Sequence, residues 1–304
     1  MKSITVSIVI PNWNGVYLMG KHLQKTIDAS PDAEVIISDD CSTDGSVAYI
    51  KKNFPQVIVV ASSKRQGFAG NVNKGVAKAT GDIVVLLNTD VEPEKGYLKP
   101  LLKNFEDEIV FAVGCMEKSW ENGKIILRGR GLARWYRGFY VHRRGEVGKM
   151  DTAWVSGGSG AFRRTMWNKL GGMDTVYNPF YWEDIDLSYR ARKAGWKTLF
   201  ESESIVNHYH EEGKIIREFS QVDVKRIVYR NQFIFIWKNV SDASIIFSHM
   251  IWTPIRLLQA ALSGDVLMIQ GFLWAMKFIG PIFKKRRMQK RLYTRRDNEL
   301  NIYQ

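Results

Sequence analysis

Asp90 closes the polar triplet Asn88-Thr89-Asp90, which follows the apolar run DIVVLL (82–87). A carboxylate at the tip of a buried strand can hold a hard divalent cation, Mg2+ or Mn2+, and a cation there can bridge phosphate oxygens. Alone, the triplet is also an ordinary strand-ending turn, so its company decides. Pro11 and Asn14 follow the first apolar run, VSIVI (6–10), and Asp39-Asp40 follow the second, EVIIS (34–38). In DDCSTDGS (39–46), Asp39 is expected to face a nucleoside, while Ser42, Thr43 and Asp44 shape and cap the turn. In RQGFAGNVNKG (65–75), Arg65 is expected to reach toward a diphosphate, with Gly67 and Asn73 on the same glycine-rich segment.

Three acids, Glu183, Asp184 and Asp186, open a helix-like segment. A helix N-terminus favours negative charge, and an Asp186–Arg190 pair accounts for the third acid without invoking a ligand. Asp184, with Glu183 beside it, is placed to act as a general base on an attacking hydroxyl. His208 and His210 could complete a metal shell through a neutral imidazole nitrogen. The expectation is that at most one of the two reaches the site, His208 first and His210 as its substitute.

The elements that must position these groups are legible as a βαβ rhythm. Apolar runs at 6–10, 34–38, 57–61 and 82–87 alternate with helical stretches at 17–29, 46–53 and 69–79. Strands so rich in Ile, Val and Leu are buried on both faces, as crossover helices require, and the fold class is α/β. Ligands of such sheets sit beyond the carboxyl ends of the strands, where the polar residues above lie. From Phe111 to Met150 the pattern loosens into glycine, arginine and aromatic residues and reads as a mobile loop or irregular hairpin that folds over bound ligands. A helix is expected at 184–194, with acids in its first turn, basic residues in its last and Gly195 at the stop.

Two cysteines, Cys41 and Cys115, are too few for a disulfide framework and fit a reducing compartment. The opening MKSITVSIVIPNWNG reads as a first strand and not as a leader, which places the chain in the cytoplasm. The net charge of +13 is uneven, because Lys284 to Arg296 carries eight basic residues and no acid. Apolar helical stretches at 243–262 and 265–283 precede it, each interrupted by Pro254, Arg256, Lys277 or Pro281. Neither is a clean membrane span, but apolar helices followed by basic residues suit peripheral attachment to the inner face of an anionic membrane.

Taken in order, VSIVIPNWNG, DDCSTDGS, GFAGNVNKG, LLNTDVEP, VSGGSGAFRR, GGMDTVYNPFYWEDIDLSYRARKAGW and VNHYHEEG resemble the family 2 glycosyltransferases of the GT-A fold, and most of all their rhamnosyltransferase-like, polysaccharide-assembly branch. The resemblance covers roughly 3–239. It implies a Rossmann-like, mostly parallel sheet with flanking helices in a catalytic domain at 1–240, with a nucleotide-sugar half to about 110 and an acceptor half beyond it. A helical, membrane-associating appendage would occupy 241–304. It also implies a nucleotide-sugar donor bound by Pro11, Asn14, Asp39, Arg65, Gly67, Asn73, Asn88 and Asp90, and a glycan or lipid-linked glycan acceptor lined by Gly157, Gly158, Trp182 and Asp186. Asp90 and His208 would hold the metal, and transfer would be a single displacement with inversion.

Asn88 stands where the family pattern usually has the leading acid of Asp-x-Asp, which shifts weight to Asp90. The Gln-x-x-Arg-Trp element of processive synthases is missing after the histidines, so one or a few sugars are expected to be added. Other classes fit less well. A nucleotidyltransferase would need a glycine-rich activation loop after the first strand, where PNWNG stands. A dehydrogenase would need Gly-x-Gly-x-x-Gly there. A nucleic-acid- or lipid-binding module explains the basic stretch and leaves the strand tips unexplained.

Overall fold

The computed structural model describes residues 4–121, 123–213 and 218–302. Its centre is a nine-stranded mixed sheet built from β1 (Val6–Asn12), β2 (Glu34–Asp39), β3 (Ile58–Ala61), β4 (Ile83–Leu87), β5 (Val91–Pro93), β6 (Val110–Glu121), β7 (Lys124–Arg128), β10 (Ser159–Arg163) and β11 (Lys197–His208). The order is β3-β2-β1-β4-β10-β6-β11-β5, with β7 paired to β6. β3, β2, β1 and β4 are mutually parallel. β10 then runs antiparallel to both β4 and β6, β11 lies parallel to β6, and β5 antiparallel to β11, so the second half of the sheet is mixed.

Alternation along the strands explains why the sheet is covered on both sides. Ile8, Ile10, Ile37, Val85 and Leu87 join one apolar core, packed beneath α1 (Val16–Ala29) and α2 (Ser46–Asn53). Val9, Ile36, Val84 and Leu86 face the other, under α3 (Gly67–Lys78), α5 (Arg164–Leu170) and α6 (Glu183–Lys193). A short α4 (Leu98–Lys103) buries Leu101 on the first of these faces. The expected helix at 184–194 is α6, in which Arg190, Arg192 and Lys193 crowd the last turn.

The segment expected at 111–150 as a mobile loop or irregular hairpin is built of regular hairpins. β6 and β7 form a hairpin of the main sheet, and β8 (Gly131–Tyr136) and β9 (Phe139–Arg144) make a separate two-stranded sheet. Aromatic side chains override the glycines here: Trp135, Phe139 and Tyr140 pack on Phe233, Phe235 and Tyr189.

That packing belongs to a third core, shared with α7 (Gln221–Asn239), α8 (Ala243–Ser263), α9 (Val266–Met276) and α10 (Ile279–Gln289). The expected stretch 265–283 is broken, because α9 and the segment from Ile279 meet at a bend of 68°. By length and composition α8 could cross a membrane, its mean hydropathy being 1.2 with 17% of that window buried. Its exposed side carries Phe247, Met250, Leu258 and Leu262.

Charge joins this helical region to α6. Lys238 donates to both carboxylate oxygens of Asp186 at 2.8 Å and pairs with Asp174 at 2.7 Å. Lys193 pairs with buried Asp297 at 2.8 Å, and Ile302 bridges to Ala133. The basic stretch 284–296 is partly drawn into these contacts: Lys285 pairs with Asp174 and Arg286 donates to the Trp237 carbonyl. Lys284, Arg287, Lys290, Arg291, Arg295 and Arg296 face outward.

Candidate active site

A cavity of about 340 Å³ opens beyond the carboxyl ends of β1 and β4. One wall comes from the parallel half of the sheet, with Pro11, Asn12, Trp13, Asp40, Arg65 and Asn88. Arg65 stacks over the Trp13 ring at 3.4 Å and pairs with Asp40 at 3.0 Å. The opposite wall is the start of α6.

Strand register builds the acidic pole between them. β11 runs antiparallel to β5 with His208 opposite Val91, the residue after Asp90, and parallel to β6 with Val206 opposite Glu117. His208 therefore meets two acids: Nε2 lies 3.6 Å from Asp90 and Nδ1 3.3 Å from Glu117. The chain leaves the strand at Tyr209, whose N–H donates to the Asp90 carbonyl at 3.0 Å. That exit folds His210 back onto His208, ring against ring at 3.7 Å. The expectation that only one histidine arrives is thus corrected: residues i and i+2 of an extended chain share a face, and the turn that follows His208 keeps His210 against it.

Glu117, His208 and His210 each offer a ligand atom within 4.8 Å of the others. His208 Nδ1 and His210 Nε2 are buried and make no hydrogen bond, although buried polar atoms are ordinarily paired. Burial alone would lower the His208 pKa, yet the Glu117 charge and Asp90 outweigh it and carry it up to about 10. Burial would likewise raise Glu117, and His208 brings it down to about 2. His210 is lowered by burial and by its positive neighbour. Imidazole nitrogens without a hydrogen bond beside the Glu117 carboxylate fit a divalent cation at Glu117, His208 and His210, with Asp90 next to that group, 3.6 Å from His208.

Asp184 and Glu183 form the other pole. Asp184 accepts from the N–H of Ile185 at 2.7 Å and of Gly157 at 3.4 Å. Burial raises the pKa of both acids, Glu183 further because the charge of Asp184 lies beside it, up to about 8. Gly157 and Gly158 connect the poles. The Asn88 N–H donates to the Gly158 carbonyl at 2.9 Å, and a Cβ on Gly158 would lie 2.5 Å from the Asn88 amide nitrogen. Only glycine lets the two chains approach so closely.

The loop before α6 is strained, with Tyr181 at φ 67° and Trp182 at φ 79°. It is held from α7, where Asn231 Nδ2 donates to the carbonyls of Tyr177, Phe180 and Tyr181 at 2.8–3.0 Å. Strain persists where surrounding structure over-determines it, and here it sets the helix start that carries Glu183 and Asp184.

Several expected contacts lie elsewhere. Asp39 is buried behind the wall, accepting from Asn12 Nδ2 at 2.8 Å and the Ser42 N–H at 2.9 Å, while its neighbour Asp40 lines the cavity. Asn14 is occupied with the Thr43 N–H, and Asn73 clamps the backbone of Met173 through both amide atoms. Gly67 sits at φ 73°, donating to Asp40. Trp182 packs into the third core against Phe235, and Asp186 is 0% exposed between Arg190, Lys238, Asn239 and Tyr177. Two residues of helix, about 200° of turn, separate Asp184, which lines the cavity with Glu183, from Asp186, which is buried in the charge network. Glu117 is the residue sequence reading missed. Its one signal was an acid inside the apolar run VFAVGCMEK.

A family model described as glycosyl transferase family 2 matches residues 7–171. The chain is 24% identical over 242 residues to the N-acetylglucosaminyl-diphospho-decaprenol L-rhamnosyltransferase of Mycobacterium tuberculosis, covering 68% of this chain and 78% of that one. It is 24% identical over 234 residues to the GalNAc(5)-diNAcBac-PP-undecaprenol beta-1,3-glucosyltransferase of Campylobacter jejuni, covering 75% and 69%. Its fold is similar to that of GalNAc-T7, solved with UDP, GalNAc and Mn2+, with a TM-score of 0.62 at 20% identity. That match covers 78% of this chain and 48% of the other, so the chain spans about half of that transferase.

Proposed function

Because the chain belongs to glycosyl transferase family 2, we propose that its cavity transfers one sugar from a nucleotide-sugar to a hydroxyl of a lipid-linked glycan in cell-surface polysaccharide assembly. The observation that carries this reading is the pair of poles, Asp90, Glu117, His208 and His210 on one side and Glu183 and Asp184 on the other, joined through Gly157-Gly158. Lipid-diphosphate substrates in the names of both relatives support the acceptor class.

In this reading the Asp90 pole holds Mg2+ or Mn2+, which when bound offsets charge on the departing nucleoside diphosphate. Arg65 lies on the same wall and adds a cation toward the diphosphate. Asp184 takes the proton from the acceptor hydroxyl. The acceptor oxygen then forms its bond to the anomeric carbon as the bond to the diphosphate oxygen breaks, with inversion and no enzyme-bound sugar. Glu183, with its pKa held near 8 by burial and by Asp184, carries a proton at neutral pH and leaves Asp184 as the charged partner.

A screen of nucleotide-sugars for slow donor hydrolysis, with Mn2+ and after chelation, tests the donor half. At least one donor is expected to turn over only with metal; no turnover of any donor would reject the reading.

The exposed apolar side of α8 and the outward basic residues from Lys284 to Arg296 support action at the cytoplasmic surface of an anionic membrane. Cosedimentation with phosphatidylglycerol vesicles is expected and should weaken as salt rises. Equal binding to neutral vesicles at every salt concentration would show that the charges play no part.

A further inference from the structure

A second groove, of about 580 Å³, lies beside the cavity on α7 and is walled by Tyr181, Phe219, Val224, Val228 and Tyr229. Tyr181 and Phe219 line both spaces, so the groove adjoins the cavity. Its helical residues recur at 221, 224, 225, 228 and 229, one face of α7, and from Gln221 to Tyr229 that face runs about 12 Å away from the cavity mouth.

Gln221 lines one end of the face, and between it and Tyr229 the open side chains of Val224 and Val228 are apolar. Its polar groups at the far end are already engaged: Lys225 pairs with Asp265 at 3.0 Å, and the Tyr229 hydroxyl donates to the same oxygen at 2.7 Å. A sugar would need converging donors and acceptors; Val224 and Val228 between two aromatic walls supply none. Asp265 sits at the junction of α8 and α9, where Leu262 is 81% and Val266 55% exposed. One end of the groove thus meets the catalytic cavity and the other the most exposed apolar corner of the helical region.

We propose that this groove binds the proximal part of an isoprenoid chain, the lipid of a polyprenyl-diphosphate-linked acceptor, and leads it from the bilayer side to the cavity. The proposal rests on the lipid-linked acceptor advanced above. Each buried methylene of such a chain contributes about 0.8 kcal/mol, so affinity should climb with chain length until the groove is filled.

Calorimetric titration of the full chain with inorganic diphosphate, geranyl diphosphate and geranylgeranyl diphosphate tests it. From geranyl to geranylgeranyl the affinity is expected to rise at least about tenfold. Val224→Trp, which fills the groove, and Val228→Asp, which charges it, should each abolish that gain while the melting temperature and Mn2+-dependent UDP or GDP binding stay unchanged. Affinity independent of chain length, or a gain that survives in both variants, overturns the proposal. So does a gain lost only in Leu262→Glu, which would put the chain on the α8 face. Nucleotide binding without a chain-length effect would reject the groove and leave the transferase reading standing. A chain-length effect with no nucleotide bound would do the reverse.

Discussion

Asp184→Asn is expected to bind donor nucleotide as tightly as the wild type and to lose transfer by about 10²–10⁴-fold, the usual worth of a positioned base. The substitution keeps shape and an oxygen that can still accept from the Ile185 N–H, now at 2.7 Å, so the start of α6 stays in place. What it removes is the site for the acceptor's proton. Burial lifts the Asp184 pKa, which makes it a stronger base than an exposed carboxylate and moves the acid limb of kcat/KM upward. Transfer should therefore fall, as pH drops, at a higher pH than an ordinary aspartate would give, and the limb reports Asp184 and Glu183 together. Donor affinity by calorimetry and turnover against pH check both halves. Wild-type turnover in the variant would remove Asp184 from the chemistry.

The second large effect concerns the residue hidden from the sequence. Glu117→Gln and His208→Ala are each expected to weaken Mn2+ binding by more than the 10–100-fold lost on removing an outer-sphere partner, and the loss is read directly from the electron paramagnetic resonance of free Mn2+ during titration. Glu117→Gln is the cleaner variant, because Ser159 Oγ, which donates to Glu117 Oε1, finds an acceptor in the amide oxygen as well. Chelation of the wild type should abolish transfer in parallel. Unchanged Mn2+ affinity in Glu117→Gln would take that carboxylate out of the shell and leave Asp90 with the histidines.

Asp90 and Asp184 were legible in the sequence because each sits at a local punctuation, a strand tip and a helix start, that residue type and spacing announce. Glu117 was not, since it meets His208 only through the pairing of β6 with β11, and nothing along either strand declares its neighbour. His210 was misread because residues two apart were assigned to opposite faces, whereas side chains at i and i+2 of an extended chain share one. Asp39 and Asp40 are adjacent acids at one strand tip, and which of them turns inward is settled by Asn12 and Ser42, not by the pair itself. Asp186 resembles Asp184 in type, yet the roughly half turn of helix between them takes it into a charge network. The parallel half of the sheet was read from its apolar runs; the reversal at β10 was not, because a short strand of small residues carries no mark of direction. At 131–144 glycine and arginine argued for irregular backbone, and aromatic packing prevailed.

The Lys238 contacts with Asp174 and Asp186 bear on how such enzymes can be recombined. Breaking a buried pair by removing one partner costs about 3–5 kcal/mol, and here one ammonium serves two carboxylates that are themselves screened from water. A chimera that joins the front of this chain through α6 to a relative's α7 would leave Asp174 and Asp186 short of a shared buried cation unless the graft brings a lysine to the same place. Crossover points that respect this triad fall before Asp174 or after Lys238, and the segment between them will exchange between relatives as a unit.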